Sequence, residues 1–177
     1  MATNTMNHPD RCYQEQYERV RMLLKIIESE DISKSCPAIS YYELSILCFQ
    51  AIWNLKDWVL NDPYFEAKDI RALKTEIHDS ELLCISADIA NGTKHFRLDK
   101  PKTDCSISDV VGVHIDVNAG IFKQCIRILS ASKSSQYHGY EVRDFLSLAV
   151  DEWAQIIDKH YLSKHDPMYP SSPKFRC

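Results

Sequence analysis

The stretch Ser40-Tyr41-Tyr42-Glu43-Leu44-Ser45-Ile46-Leu47-Cys48-Phe49-Gln50-Ala51-Ile52-Trp53-Asn54-Leu55-Lys56-Asp57-Trp58-Val59-Leu60 decides the fold. Ser40 and Glu43 stand in the S-x-x-E form of a capping box, which starts a helix. Asn61-Asp62-Pro63 stops it. One apolar stripe holds Leu44, Leu47, Cys48, Ala51, Leu55, Trp58 and Val59. A second row, Tyr42, Ile46, Phe49 and Trp53, lies beside it. A helix apolar around most of its girth belongs at the centre of a bundle. Its remaining polar residues, Glu43, Gln50, Asn54, Asp57 and Asn61, form one narrow stripe.

Working outward, Asp10 is placed to cap a first helix over about 11–29, with Tyr13, Tyr17, Val20, Leu23 or Leu24, and Ile27 on one side. Ile32 to Pro37 lacks periodicity and reads as a loop. A third helix is expected over about Glu66 to His78, with Ile70, Leu73 and Ile77 inward, and a fourth from Asp79 or Ser80. Arg97 to Asp104 is a charged loop. The period then changes: Val111, Val113, Ile115 and Val117 alternate with Gly112, His114 and Asp116, as in a strand. Asn118-Ala119-Gly120 makes a turn, Ile121 to Leu129 returns, and Ser130 to Ser135 is a loop. The last helix, about Glu141 to Tyr161, has the cleanest stripe: Val142, Phe145, Leu146, Ala149, Val150, Trp153, Ile156 and Ile157. The expected architecture is mainly α, a single domain over 1–177. A helical core (about 11–96 and 140–162) carries a small β-hairpin (about 107–130) inserted before the last helix. A loose tail follows over about 165–177.

Composition bounds the function. With 177 residues, 45% apolar and 26% charged, the chain is long enough for a sizeable core. Four glycines favour helices over a turn-rich β fold. A net charge of −4 argues against a broad basic surface and gives no DNA-specific signal, while leaving room for a local cationic cleft. Seven scattered cysteines (Cys12, Cys36, Cys48, Cys84, Cys105, Cys125, Cys177) lack the close pairs of structural zinc sites and read as reduced thiols of a cytoplasmic protein. Met1 to Asp10 has no secretory character, and the apolar helix is broken by charges, so no membrane span is expected. No Gly-rich phosphate loop, His-Glu-x-x-His or serine elbow occurs, and neither metal nor cofactor is expected.

The chemistry concentrates in Ser86-Ala87-Asp88-Ile89-Ala90-Asn91-Gly92-Thr93-Lys94-His95-Phe96, which follows the apolar run Leu82 to Ile85. If the fourth helix continues through Gly92, then Asp88, Asn91 and His95 share a face. Set against Asn54 and Asp57, they would form a polar seam inside the bundle. If Gly92 instead ends the helix, His95 is a loop residue and Asp88 holds a neighbouring loop. Imidazole there suits proton transfer near neutral pH, and Lys94 or Arg97 suits a phosphate oxygen. Arg71 and His78 stand two turns apart on the third helix, more simply a solvated face. Trp53 and Trp58 can stack a base but read first as core. His114 reads as solvent-facing and His160 as a contact with a helix dipole.

Phe49 to Val59 together with Asp88 to Phe96 resembles small bacterial helical proteins related to the HEPN superfamily. The resemblance covers roughly the first hundred residues and the last helix, with the hairpin as an addition. It implies a protein acting on RNA or a nucleotide. Many such proteins are metal-independent ribonucleases, often homodimeric, in toxin and defence systems. Their motif is an Arg followed a few residues later by His, commonly with Asn directly after the Arg. Asn91 and His95 match, whereas Ala90 stands in the place of the Arg. The resemblance gives His95 the general acid or base role, Lys94 the stabilisation of phosphorane charge, and Asp57, Asp88 and Asn91 the orientation of groups. Alternatively Arg71 and His78 are the working pair. The rival reading is a non-catalytic helical module that binds a nucleotide or a protein.

Overall fold

The computed structural model describes residues 12–29, 40–92, 101–108, 112–116 and 121–161, with the backbone alone at 112–116 and 121–125. Asp10, the 32–37 loop, Lys94, His95, Arg97, the 118–120 turn and the 165–177 tail lie outside the described residues.

Five described helices form a bundle: α1 (Tyr13–Glu28), α2 (Tyr41–Asn61), α3 (Ile70–Asp79), α4 (Glu81–Gly92) and α5 (Val142–His160). Four short strands precede the last helix: β1 (Cys105–Ile107), β2 (Gly112–Asp116), β3 (Ile121–Cys125) and β4 (Ile128–Ser130). The architecture is the expected one, a mainly α bundle with a small β insertion.

Helix α2 is central because it has almost no polar girth. Leu44, Ser45, Cys48, Phe49, Ile52, Leu55 and Val59 are buried, with α1 on one side, α4 on the other and α5 also against it. Its capping box forms as read: Glu43 N donates to Ser40 Oγ (3.2 Å) and Ser40 N to Glu43 Oε2 (2.9 Å). Such a cap is worth about 1 kcal/mol. Leu47 departs from the expected stripe and is 42% exposed. The buried face turns instead toward Ser45 and Ile52, the side that α1, α4 and α5 cover. Two side chains bolt consecutive α2 carbonyls to neighbouring helices. Gln16 Nε2 of α1 donates to Ala51 O (2.9 Å), and Trp153 Nε1 of α5 donates to Ile52 O (3.0 Å).

Helix α1 starts at Tyr13 behind Cys12. A carboxylate distant in sequence serves its first turn: Tyr13 N donates to Asp62 Oδ2 (2.7 Å), while Asp62 Oδ1 accepts from Tyr64 N (2.7 Å). Helix α3 begins later than expected because Asp69 caps it, accepting from Arg71 N (2.8 Å) and Ala72 N (3.1 Å). Ile70 at its first position is exposed, contrary to expectation, whereas Leu73 and Ile77 are buried. Helix α4 is buried without interruption from Leu82 to Ala90.

The insertion is two nested antiparallel ladders rather than one hairpin. Ile107 faces Ile128 in the β1–β4 pair, yet Gly112 faces Cys125 in the β2–β3 pair, so the ladders do not share one register. Ile126 and Ile128 at the base are fully buried and seat the insertion on the core. Val142 N donates to Ile126 O (2.9 Å), joining that base to the start of α5. Among the described residues no helix is long and apolar enough to cross a membrane.

Candidate functional site

Asp88 sits in the most apolar helix of the bundle and is only 5% exposed. A buried carboxylate must be satisfied by donors. Here these come from the segment leading into β1. Asp88 Oδ1 accepts from Lys102 N (2.9 Å), and Oδ2 accepts from Thr103 N (2.5 Å) and Thr103 Oγ1 (2.9 Å). Thr103 Oγ1 in turn accepts from Cys105 N (3.2 Å), so the strap passes directly into the strand.

The side chain of Lys102 leaves this anchored backbone and meets a cluster on the surface. Its Nζ lies 3.0 Å from His78 Nδ1 on α3 and 4.4 Å from the Trp53 ring centroid on α2. Lys56, one helical turn beyond Trp53, places its own Nζ 4.4 Å from the same ring. The Trp53 and His78 rings meet edge-on at 6.4 Å. Cys84 Sγ of α4 donates to His78 O (3.1 Å) and holds that backbone in place. Burial keeps the Cys84 thiol above its ordinary pKa, so it acts as a neutral donor.

An ammonium only donates, so His78 Nδ1 accepts from Lys102 and the ring proton resides on Nε2. Partial desolvation, then the charges of Lys102 and Lys56, hold the His78 pKa below the usual imidazole value, opposed by Asp79. Two ammoniums on one indole lie within about one Debye length (~10 Å) of each other. Lys56 has a carboxylate, Asp57 Oδ1, at 3.5 Å. Lys102 has His78 and Trp53, and no carboxylate among the described residues within ion-pair distance. An aromatic face, two cations and a neutral imidazole with an N–H to give form a site suited to a phosphate-bearing ligand.

The residues singled out from sequence are distributed unevenly around this site. Asp88 lies beneath it and holds a loop, one of the two roles open to it. Helix α4 reaches Gly92, the last described residue before 101, and Asn91 is half-buried near that end. Asp57 and Asn54 are on the solvent side of α2, the Asp57 side chain 67% exposed, and Asp88 bonds to the strap rather than to either. Lys94 and His95 lie outside the described residues. Of the Arg71/His78 pair, His78 joins the cluster through Lys102, while Arg71 sits exposed in the first turn of α3, its amide on the Asp69 cap. His160 stands in the last turn of α5, as read, and is 5% exposed with its Nε2 2.7 Å from Glu76 Oε2. Trp58 is half-buried against the core.

Nothing in the sequence alone brings Lys102 and Lys56 together. Trp53-x-x-Lys56 places both on one helical face, which is a local signal. Lys102 comes from a segment distant in sequence whose backbone amides bond to Asp88, and backbone amides leave no trace in a sequence. No family model, no curated protein and no solved structure matches this chain.

Proposed function

We propose that the protein acts on RNA or a nucleotide as a HEPN-like helical protein, with the Trp53, Lys56, Lys102 and His78 cluster as its binding site. The observation that carries this reading is Lys102: its ammonium rests on an indole and an imidazole with no neutralising carboxylate among the described residues, in a chain of net charge −4. The lysines take phosphate oxygens, His78 Nε2–H donates to a third, and a base stacks on the part of Trp53 that stays open.

The test is binding of a fluorescein-labelled oligo(rA) strand, followed by anisotropy. Wild type binds, and Trp53→Leu with Lys102→Met abolishes binding while the far-ultraviolet helix signal is retained. Equal affinity of wild type and double variant overturns the site.

The neutral imidazole beside a cation favours a catalytic extension, metal-independent ribonuclease activity. In it the ribose 2′-hydroxyl gives its proton to one imidazole as its oxygen attacks the adjacent phosphate, the P–O5′ bond breaks, and the 5′-oxygen takes a proton from the other imidazole. His95 is the general acid or base of this reading, Lys94 stabilises the phosphorane, and Asn91 orients the groups, with His78 the second imidazole. RNA cleavage then persists in chelator and is lost in His95→Ala. Cleavage by that variant at the wild-type rate removes His95 from the mechanism. Binding without cleavage leaves the non-catalytic nucleotide-binding module. Homodimerisation and a place in a toxin or defence system follow from the same resemblance, and sedimentation equilibrium tests the first.

A further inference from the structure

We infer that Asp88 is the positioning residue of this site: it fixes the strap over 101–104 so that Lys102 reaches His78 and Trp53 together. The inference deepens the binding reading above and rests on it for its ligand. Its geometry stands independently.

Desolvating a carboxylate is costly, and opposite charge is the common compensation. Among the described residues Asp88 has no ion-pair partner, and its hydrogen bonds come from the strap, at Lys102 N, Thr103 N and Thr103 Oγ1. The residue whose amide it grips is the one whose side chain completes the surface cluster. Lysine has a long flexible stem, and delivering its ammonium to one spot requires the backbone to be fixed first. Asp88 fixes that end, and His78 Nδ1 and the Trp53 ring receive the other. Cys84, on the same helix one turn earlier, secures the backbone of His78 through its carbonyl. Helix α4 thus sets both partners of the Lys102–His78 bond from below without touching a ligand.

A double-variant cycle separates positioning from plain support of the fold. Binding of fluorescein-labelled oligo(rA) is measured for wild type, Asp88→Asn, Lys102→Met and the pair. Lys102→Met weakens binding about tenfold, the value of one charge-assisted hydrogen bond. Asp88→Asn weakens it by a similar factor when Lys102 is present, and by less than about twofold when Lys102 is already methionine. An equal loss in both backgrounds overturns the inference. The ligand-free readout is the ring titration of His78 by NMR. The charged groups facing this ring are Lys102 from the strap, Lys56 from α2 and Asp79 from α3 itself. Lys102→Met and Asp88→Asn both move the titration upward, toward the ordinary imidazole value. Asp88→Asn with an unmoved His78 titration overturns the inference. Thr103→Val keeps the carboxylate and both amides and removes one donor, so it serves if Asp88→Asn fails to fold. It moves His78 in the same direction by less, and an unmoved titration again overturns the inference. Absence of oligo(rA) binding in wild type, with the His78 shifts intact, sinks the binding reading and leaves the positioning role standing.

Discussion

Helix α3 carries two clusters of histidine and lysine on different faces, and they are resolved in opposite ways. Toward α5, Glu76 Oε2 lies 2.7 Å from both Lys159 Nζ and His160 Nε2, and the Glu76 pKa is lowered chiefly by those two hydrogen bonds. Beside them Lys68 N donates to His160 O (2.8 Å), and Ala67 bridges to Tyr161, closing the end of α5 onto the turn before α3. Toward α2, His78 receives a lysine in place of a carboxylate, and among the described residues that cation has no carboxylate within ion-pair distance. A closed charge cluster holds a fold together; an open one, exposed beside an aromatic ring, is available to a ligand. On the proposed reading, the same residue types serve structure on one face and binding on the other.

The contrast breaks most visibly at Glu76. Glu76→Ala leaves the buried His160 ring without its partner, and unfolding by denaturant shows a loss of about 1–3 kcal/mol. Affinity for oligo(rA) stays at the wild-type value, and a parallel loss of affinity would erase the distinction between the faces. Lys102→Met gives the mirror image: binding falls about tenfold, with stability changed by less than about 0.5 kcal/mol. Lys56→Met has a smaller effect, because Asp57 already shares its charge. It lowers affinity a few-fold and reduces the slope of log K against log salt by about one.

Acidity sharpens the comparison further. His78 is held below the ordinary value of about 6.5, so it is neutral at pH 7 and gains charge only as pH falls through its lowered pKa. An added cation favours an anionic ligand. Affinity for oligo(rA) accordingly rises modestly as pH falls below the ordinary imidazole value, and His78→Gln flattens that rise. The least consequential effect is at Asp104, where hydrogen bonds from the Ser132 side chain and amide, and then from Ser130, hold the pKa at about 2. Its folded-state pKa lies below the ordinary Asp value of about 3.9. The tie is complete above that value and is lost as pH falls toward about 2. Displacement of the Ser132 amide resonance in that window, absent in Asp104→Asn, is the check.

Periodicity made the architecture readable. The Ser40/Glu43 cap, the buried face of α5 and the change of period before it are all local in sequence, and each appears where its residues place it. The site was only half legible. Asp88 stood out because an acid inside an apolar run has to be satisfied, yet its partners are amides of another segment. Asn54 and Asp57 were read as facing inward, since a narrow polar stripe looks alike whether solvent or a buried group lies opposite it. Trp53 packs partly buried against the core, as its place on the apolar row implies, but nothing local reveals that a lysine from a distant strap lies against its open part.

The two bolts on α2 have a consequence for that tryptophan. Adjacent carbonyls point about 100° apart around a helix axis. Gln16 and Trp153 hold two such carbonyls, Ala51 and Ile52, from two different neighbours. One peg would let a cylinder turn; two pegs at different azimuths index it like a keyed shaft. Trp53 is the next residue, so its compass bearing is dialled in by the interior. A change as remote from the surface as Gln16→Leu removes one of those two pegs.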